Sequence, residues 1–151
     1  MESRREMKVG VSACLLGVNC KYNGGNNFSE ALARYLEKRE VVPLCPEVFG
    51  GLPTPRVPAE MVKGVVKDKE GRSVDDAFRK GARIALQKVL DEGVELVILQ
   101  SRSPSCGVKE VYDGSFSGKL IPGKGVFAAL LAEAGIPAVD VEDVMAKGEK
   151  A

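Results

Sequence analysis

Four cysteines are the residues of this 151-residue chain best suited to chemistry, and three of them follow apolar segments. Cys14 comes at the end of KVGVSA, Cys45 closes VVPLC, and Cys106 lies in SRSPSCG just after VELVILQ. Glycine, proline or serine residues stand near each of these thiols, which is typical of loops and not of packed cores. Reduced thiols in loops act as metal ligands or as nucleophiles.

The rest of the composition narrows what these thiols can do. The chain has no histidine, which excludes Cys-His nucleophile pairs and every zinc site that contains histidine. It also lacks a Cys-x-x-Cys pair, so a structural zinc site is disfavoured. Soft thiolates also bind iron-sulfur clusters, and the cubane form ordinarily takes four cysteines. Three ligands would leave one iron open as a Lewis acid, which favours catalysis over electron transfer.

The alternative for each thiol is packing as a small apolar group, and we favour that interpretation for Cys20. For Cys14, Cys45 and Cys106 the loop-like neighbours favour a shared site.

The elements that would position these thiols alternate between apolar and amphipathic segments, which predicts an α/β protein. We expect a single domain over residues 1–151, with residues 1–7 as a flexible tail. The predicted strands cover residues 8–13, 41–47, 94–100 and 136–141. The predicted helices cover residues 28–40, 74–93 and 125–135, with a hairpin at 61–74 and no assignment for 108–124.

The segment VELVILQ is apolar throughout, as expected for a parallel strand that is buried on both faces. The predicted fold is therefore a Rossmann-like three-layer sandwich with a mostly parallel sheet. In such sheets ligands bind outside the carboxyl ends of the strands, and right-handed crossovers bring those ends to one edge. Cys14, Cys45 and Cys106 are thus expected to converge on one rim.

Charge and aromatic content argue against several classes of partner. Lys and Arg total 22, Asp and Glu total 21, and the chain has no Trp, so a general nucleic-acid binder is disfavoured. No apolar run approaches the roughly 20 residues that span a bilayer, and MESRREM lacks the apolar core of a secretory signal. We expect a cytoplasmic protein with a small-molecule substrate and no membrane partner. The sequence leaves the oligomeric state open.

Three segments, SACLLGVNCKYNGG, LCPEVFGGLPTPRVPAE and SRSPSCG, resemble in type and order the motifs of the thiouracil desulfurase family. The resemblance runs from about Val9 to the last predicted strand. It implies a [4Fe-4S] cluster held by three cysteines, whose fourth iron abstracts sulfur from a thiocarbonyl group. By motif, the ligands are Cys14, Cys45 and Cys106. The implied reaction converts a thiolated nucleobase such as 2-thiouracil to its oxo form and releases sulfide.

The same motifs supply candidates for proton transfer. Glu47, two residues after Cys45, is the expected catalytic acid/base, a role that histidine cannot fill in this chain. Its alternative roles are to cap a helix or to pair with Arg56. The serines of SRSPSCG are suited to orienting substrate, to donating hydrogen bonds to cluster sulfurs or to forming a turn. We assign a catalytic role to Ser103 and a substrate-binding role to Ser101.

A second group of candidates lies in YNGG, where the family usually reads Tyr-Asp-Gly-Gly. Asn23 replaces the acid and is expected to bind substrate by hydrogen bonding. Gly24 and Gly25 precede a predicted helix, so their backbone N–H groups are expected to hold a polar part of the substrate.

Two other functions remain open on the sequence. The protein could be a non-catalytic iron-sulfur sensor in which Cys20 is the fourth ligand, or a thiol enzyme without metal.

Overall fold

The computed structural model describes residues 7–150, so nearly all of the tail predicted for residues 1–7 lies outside the described residues. The described segment contains eight strands and five α-helices. In chain order the strands are β1 (Lys8–Ser12), β2 (Glu40–Leu44), β3 (Ala59–Val62), β4 (Val65–Asp68), β5 (Leu96–Leu99), β6 (Glu110–Tyr112), β7 (Leu120–Pro122) and β8 (Ala138–Asp140). The helices are α1 (Glu30–Leu36), α2 (Pro46–Phe49), α3 (Asp75–Glu92), α4 (Val126–Glu133) and α5 (Val141–Lys150).

The central sheet has four parallel strands in the order β2-β1-β5-β8. In its register, Val9 of β1 lies opposite Val41 of β2 and Leu96 of β5. The apolar run at residues 94–100 forms β5, in which Val97, Ile98 and Leu99 are fully buried. Continuous apolar sequence is what a parallel strand covered on both faces requires. The predicted parallel sheet is confirmed.

Helices cover both faces of this sheet. Leu32 of α1 packs with Val9 and Ile98 on one face, where α5 also lies, while Phe78 of α3 and Phe127 of α4 pack on the opposite face. Right-handed crossovers explain this division. The chain first adds β2 at one edge of β1 and later adds β5 at the other edge, so the helices of the two connections cover opposite faces of the sheet. The three-layer α/β architecture predicted from the sequence is therefore present.

Two predicted boundaries are wrong around β2. The helix predicted for residues 28–40 ends at Leu36, where the backbone N–H of Arg39 closes a turn onto the Leu36 carbonyl. The strand predicted for residues 41–47 ends at Leu44, because Pro46 begins the short helix α2. Proline is well suited to the first turn of a helix, where its missing N–H has no intrahelical partner.

Two antiparallel hairpins lie outside the central sheet. The hairpin predicted for residues 61–74 is present, but its strands β3 and β4 lie within residues 59–68. The β6–β7 hairpin lies in the segment 108–124, to which the sequence assigned no element. The carboxylate of Glu60 on β3 joins the two hairpins by accepting the backbone N–H groups of Gly114 and Phe116. No helix in residues 7–150 has the length and apolar character needed to cross a bilayer.

Candidate active site

The site lies where the strand order reverses. The carboxyl ends of β1 and β5 are neighbours there, with connections leaving in opposite directions, which opens a crevice in α/β sheets. A cavity of about 840 Å³ occupies this position. All four cysteines of the chain line it, namely Cys14, Cys20, Cys45 and Cys106. The structure thus brings together the three predicted ligands and adds Cys20 to the same wall.

Each predicted ligand is held by a different local structure. Cys14 lies in a 3₁₀ turn, Ala13–Leu16, that directly follows β1. Cys45 is the residue that precedes α2. Cys106 lies in the loop after β5, where its backbone N–H donates to the hydroxyl of Ser103 at 3.0 Å. Cys14 and Cys106 are buried and Cys45 is half-buried, so these thiols are shielded from bulk water although they lie outside the strands and α-helices.

Helix α2 carries Glu47 and directly follows Cys45, and glycine residues fix the position of this helix against α3. A Cβ atom at Gly81 of α3 would overlap the carbonyl oxygen of Pro46. A Cβ atom at Gly50, just after α2, would likewise overlap the carbonyl oxygen of Ala77. The two backbones are therefore in direct contact, and no other residue type fits at either position without moving α2.

A substitution of Gly81 by alanine tests this contact. We expect Gly81→Ala to lower the free energy of unfolding by about 1–3 kcal/mol, because overpacking outweighs the gain in helix propensity. Thermal and denaturant unfolding measure the change. Lys80→Ala is the matched control, since Lys80 is the preceding residue on α3 and is exposed. Equal stability of Gly81→Ala and Lys80→Ala would contradict the close contact.

The first turn of α4 fixes the loop that carries Cys106. The N–H groups of Val126 and Phe127 donate to the carbonyls of Pro104 and Ser105 at 2.9 and 2.8 Å. A Cβ atom at Gly125 would come within 2.5 Å of the Ser105 carbonyl carbon. The amides that have no intrahelical partner at the start of a helix thus hold this loop in place.

The thiols near β1 and β2 interact with one another. Cys20 hydrogen-bonds to both Cys14 and Cys45, and this is the main cause that lowers the pKa of Cys14. The same kind of contact lowers the pKa of Cys45 to about 7. The bonds to Cys14 and Cys45 raise the pKa of Cys20. The Cys20 thiol thus favours the thiolate form at Cys14 and Cys45, and the thiolate is the form that binds metals.

Cys106 has a different environment. Burial raises the pKa of its thiol to about 12, although its contacts with the hydroxyls of Ser12 and Ser105 act in the opposite direction. A metal that binds at Cys106 must displace its proton, because the thiolate is the ligand form.

The donor set fits an iron-sulfur cluster better than a single metal ion. No group of three or more His, Cys, Asp or Glu side chains within residues 7–145 is arranged to hold one ion. A cubane cluster is larger than an ion, and each iron that the protein ligates takes a separate thiolate. Three soft sulfur donors on three separate segments around one cavity match that requirement.

Glu47 lines the cavity at the centre of a hydrogen-bonded network. Its Oε1 accepts bonds from Nε and Nη2 of Arg56 at 3.1 and 2.7 Å. Its Oε2 accepts the hydroxyl proton of Ser105 at 2.8 Å, and the Ser105 hydroxyl lies 2.9 Å from that of Ser103. The pairing with Arg56 that the sequence offered as an alternative role is present, and it does not remove Glu47 from the cavity.

Ser105 is the residue whose contact with Glu47 the sequence analysis missed. The sequence offers Ser105 as a residue that orients substrate, donates to a cluster sulfur or forms a turn, and it favours Ser103 as the catalytic hydroxyl. In the structure Ser103 accepts the backbone N–H groups of Ser105 and Cys106 and reaches Glu47 only through Ser105. The signal available in the sequence is the position of Ser105, which directly precedes Cys106.

The predicted substrate-binding residues take different positions. Ser101 lines the cavity, and its hydroxyl donates to the buried carboxylate of Asp140 at 2.8 Å. Asn23, Gly24 and Gly25 form a turn next to the lining residue Tyr22, in which Gly25 donates its N–H to the Asn23 side chain at 2.9 Å. Their roles in binding substrate stay predictions.

Comparisons with known proteins agree with the motifs. The model of the 2-thiouracil desulfurase family matches residues 9–143. The uncharacterized protein YbbK of Bacillus subtilis (strain 168) is 40% identical over 135 residues, covering 83% of this chain and 89% of that protein. A solved structure of the [4Fe-4S]-dependent thiouracil desulfidase TudS has a TM-score of 0.85 and 38% identity, covering 91% of this chain and 92% of that one. The chain belongs to the 2-thiouracil desulfurase family.

Proposed function

We propose that the protein is an iron-sulfur-dependent desulfurase that converts a thiolated nucleobase, such as 2-thiouracil, to its oxo form and releases sulfide. The observation that carries the proposal is the meeting of Cys14, Cys45 and Cys106 with the carboxylate of Glu47 in one cavity. Membership of the family and the likeness to a [4Fe-4S]-dependent desulfidase support both the reaction and the cofactor. Cys14, Cys45 and Cys106 would hold a [4Fe-4S] cluster.

When bound, such a cluster supplies an open iron, a soft Lewis acid suited to a thiocarbonyl sulfur. The residues of the chain handle the water and its protons. The overall change replaces C=S and H₂O by C=O and H₂S, so water must lose protons and sulfur must leave. Glu47 takes a proton from the attacking water and returns it as the sulfur departs. Burial of Cys14, Cys106 and Ser105 limits the access of bulk water to this step.

Turnover by the cluster-loaded protein tests this function. We expect anaerobically reconstituted protein to convert 2-thiouracil or a close thiolated relative without a nucleotide cofactor. Loss of the thiocarbonyl absorbance across a panel of thiolated bases measures the conversion. A loaded protein that leaves every base in a broad panel unchanged would count against the desulfurase function.

Cys20 distinguishes this enzyme from the sensor alternative, which the comparisons do not favour. The Cys20 thiol contacts Cys14 and Cys45, so it lies close enough to the predicted ligands to be tested as a fourth ligand. We expect Cys20→Ser to retain the cluster and most of the turnover, since an open iron needs no fourth protein ligand. Iron content and activity measure the outcome. Loss of the cluster in this variant would favour the sensor.

A further inference from the structure

The two oxygens of Glu47 have unequal surroundings. Oε1 accepts two hydrogen bonds from the Arg56 guanidinium, and Oε2 accepts one from Ser105. A carboxylate oxygen has roughly two acceptor positions. Oε1 is therefore filled by protein donors, while Oε2 accepts one hydrogen bond from the described part of the chain and has room for a second.

Arg56 is itself held from several directions. Its Nη2 also donates to the carbonyl of Cys20 at 3.0 Å, and its Nη1 donates to Pro53 and Thr54 at 3.1 Å each. Its backbone N–H donates to the carbonyl of Tyr22 at 2.6 Å. The guanidinium thus connects Glu47 to two other segments that line the cavity.

Burial separates this ion pair from the surface pairs of the protein. The Arg56 and Glu47 side chains are 9% and 16% exposed, and both line the cavity. Exposed ion pairs contribute little and hold their partners loosely, whereas a shielded pair with several hydrogen bonds fixes its geometry. The Arg56 pair therefore constrains the direction of the Glu47 carboxylate.

We propose that Arg56 is a positioning residue for the reaction: it occupies Oε1 of Glu47 and leaves Oε2 as the oxygen that exchanges the proton with water. This inference rests on the proposed desulfurase function. Arg56 contributes through its planar set of donors, because a lysine ammonium cannot place two N–H groups on Oε1 while also reaching the carbonyls of Cys20 and Pro53.

Chemical rescue tests the inference in the cluster-loaded protein. We expect Arg56→Ala to lower kcat roughly 10²-fold, the scale of a misplaced catalytic group, with KM changed by less than about threefold. Added guanidinium should restore kcat by about tenfold or more, whereas ammonium at the same ionic strength should not. Arg56→Lys should remain impaired by about tenfold, because charge alone does not fix the carboxylate.

Arg79→Ala is the matched control. Arg79 also bonds one carboxylate, that of Asp75, and one carbonyl, that of Gly64, but it lies outside the cavity. The kcat of the Arg79→Ala variant should match that of the wild type and should not respond to guanidinium.

The possible results distinguish a failure of the positioning role from a failure of the proposed desulfurase function. Full kcat in Arg56→Lys, or equal rescue by ammonium and guanidinium, would overturn the positioning role while wild-type turnover upheld the function. Inactive wild-type protein would remove the proposed function and the inference with it. Iron content is measured for each variant, so that a loss of activity caused by a missing cluster is recognised. If Arg56→Ala loses its cluster, the kcat of Arg56→Lys with its cluster intact decides the question.

Discussion

Replacement of Cys14, Cys45 or Cys106 by alanine is expected to abolish the iron-sulfur cluster. Each thiol comes from a separate segment around the cavity, so the remaining two cannot move to replace the missing one. Reconstituted wild-type protein should be brown and hold about four iron atoms per chain. Each single variant should be nearly colourless and inactive. Iron analysis and visible absorbance after anaerobic reconstitution measure the effect.

Cys20→Ser provides the control for these variants, because it removes a thiol from the same cavity and is expected to leave the cluster in place. Thermal unfolding of every variant before reconstitution checks that the chain still folds. A stable and fully loaded cluster in any of the three alanine variants would show that the ligand assignment is wrong for that residue.

Glu47→Gln is expected to keep the cluster but to lose roughly 10²-fold or more in turnover, the scale of a positioned acid/base. Glutamine is a close match in shape, and its amide oxygen can accept the bonds from Arg56 while its NH₂ group faces the Ser105 hydroxyl. The network therefore survives, but the side chain can no longer take a proton from water. Steady-state kinetics of the reconstituted variant measure the loss.

Glu30→Gln is the corresponding control for Glu47, since it removes a carboxylate from an exposed pair with Arg34 on α1, outside the cavity. It should leave turnover unchanged. Wild-type turnover in Glu47→Gln would exclude Glu47 as the proton-transfer group, although the cysteine assignments would stand.

The central sheet was predictable because its signal is local. Each of β1, β5 and β8 is a short apolar run between polar segments, and the helices α3 and α4 follow the spacing of their apolar residues. Once the strands are parallel, their order along the chain places the loops that carry Cys14 and Cys106 at one edge. The resemblance to the family motifs then indicates which residues of these loops are candidate ligands and catalytic groups.

The parts that the sequence did not predict depend on contacts between distant residues. Helix α2 is only four residues long, and its place is set by Gly50 and Gly81, which meet the backbone of the opposite helix. The β6–β7 hairpin has two three-residue strands, of which β7 is exposed throughout and β6 buries only Val111, so its apolar signal is short. The contact between Ser105 and Glu47 joins residues 58 positions apart in sequence. No local pattern encodes such a contact, so it becomes visible only in the fold.

The stoichiometry of the reaction tests the central claim most directly. Anaerobically reconstituted wild-type protein is incubated with 2-thiouracil in ¹⁸O-labelled water, and uracil and sulfide are measured over time. We predict one uracil carrying the label and one sulfide for each 2-thiouracil consumed, with no turnover before the cluster is loaded. Equal turnover by the metal-free protein, or loss of 2-thiouracil without matching sulfide, would contradict a desulfurase that depends on an iron-sulfur cluster.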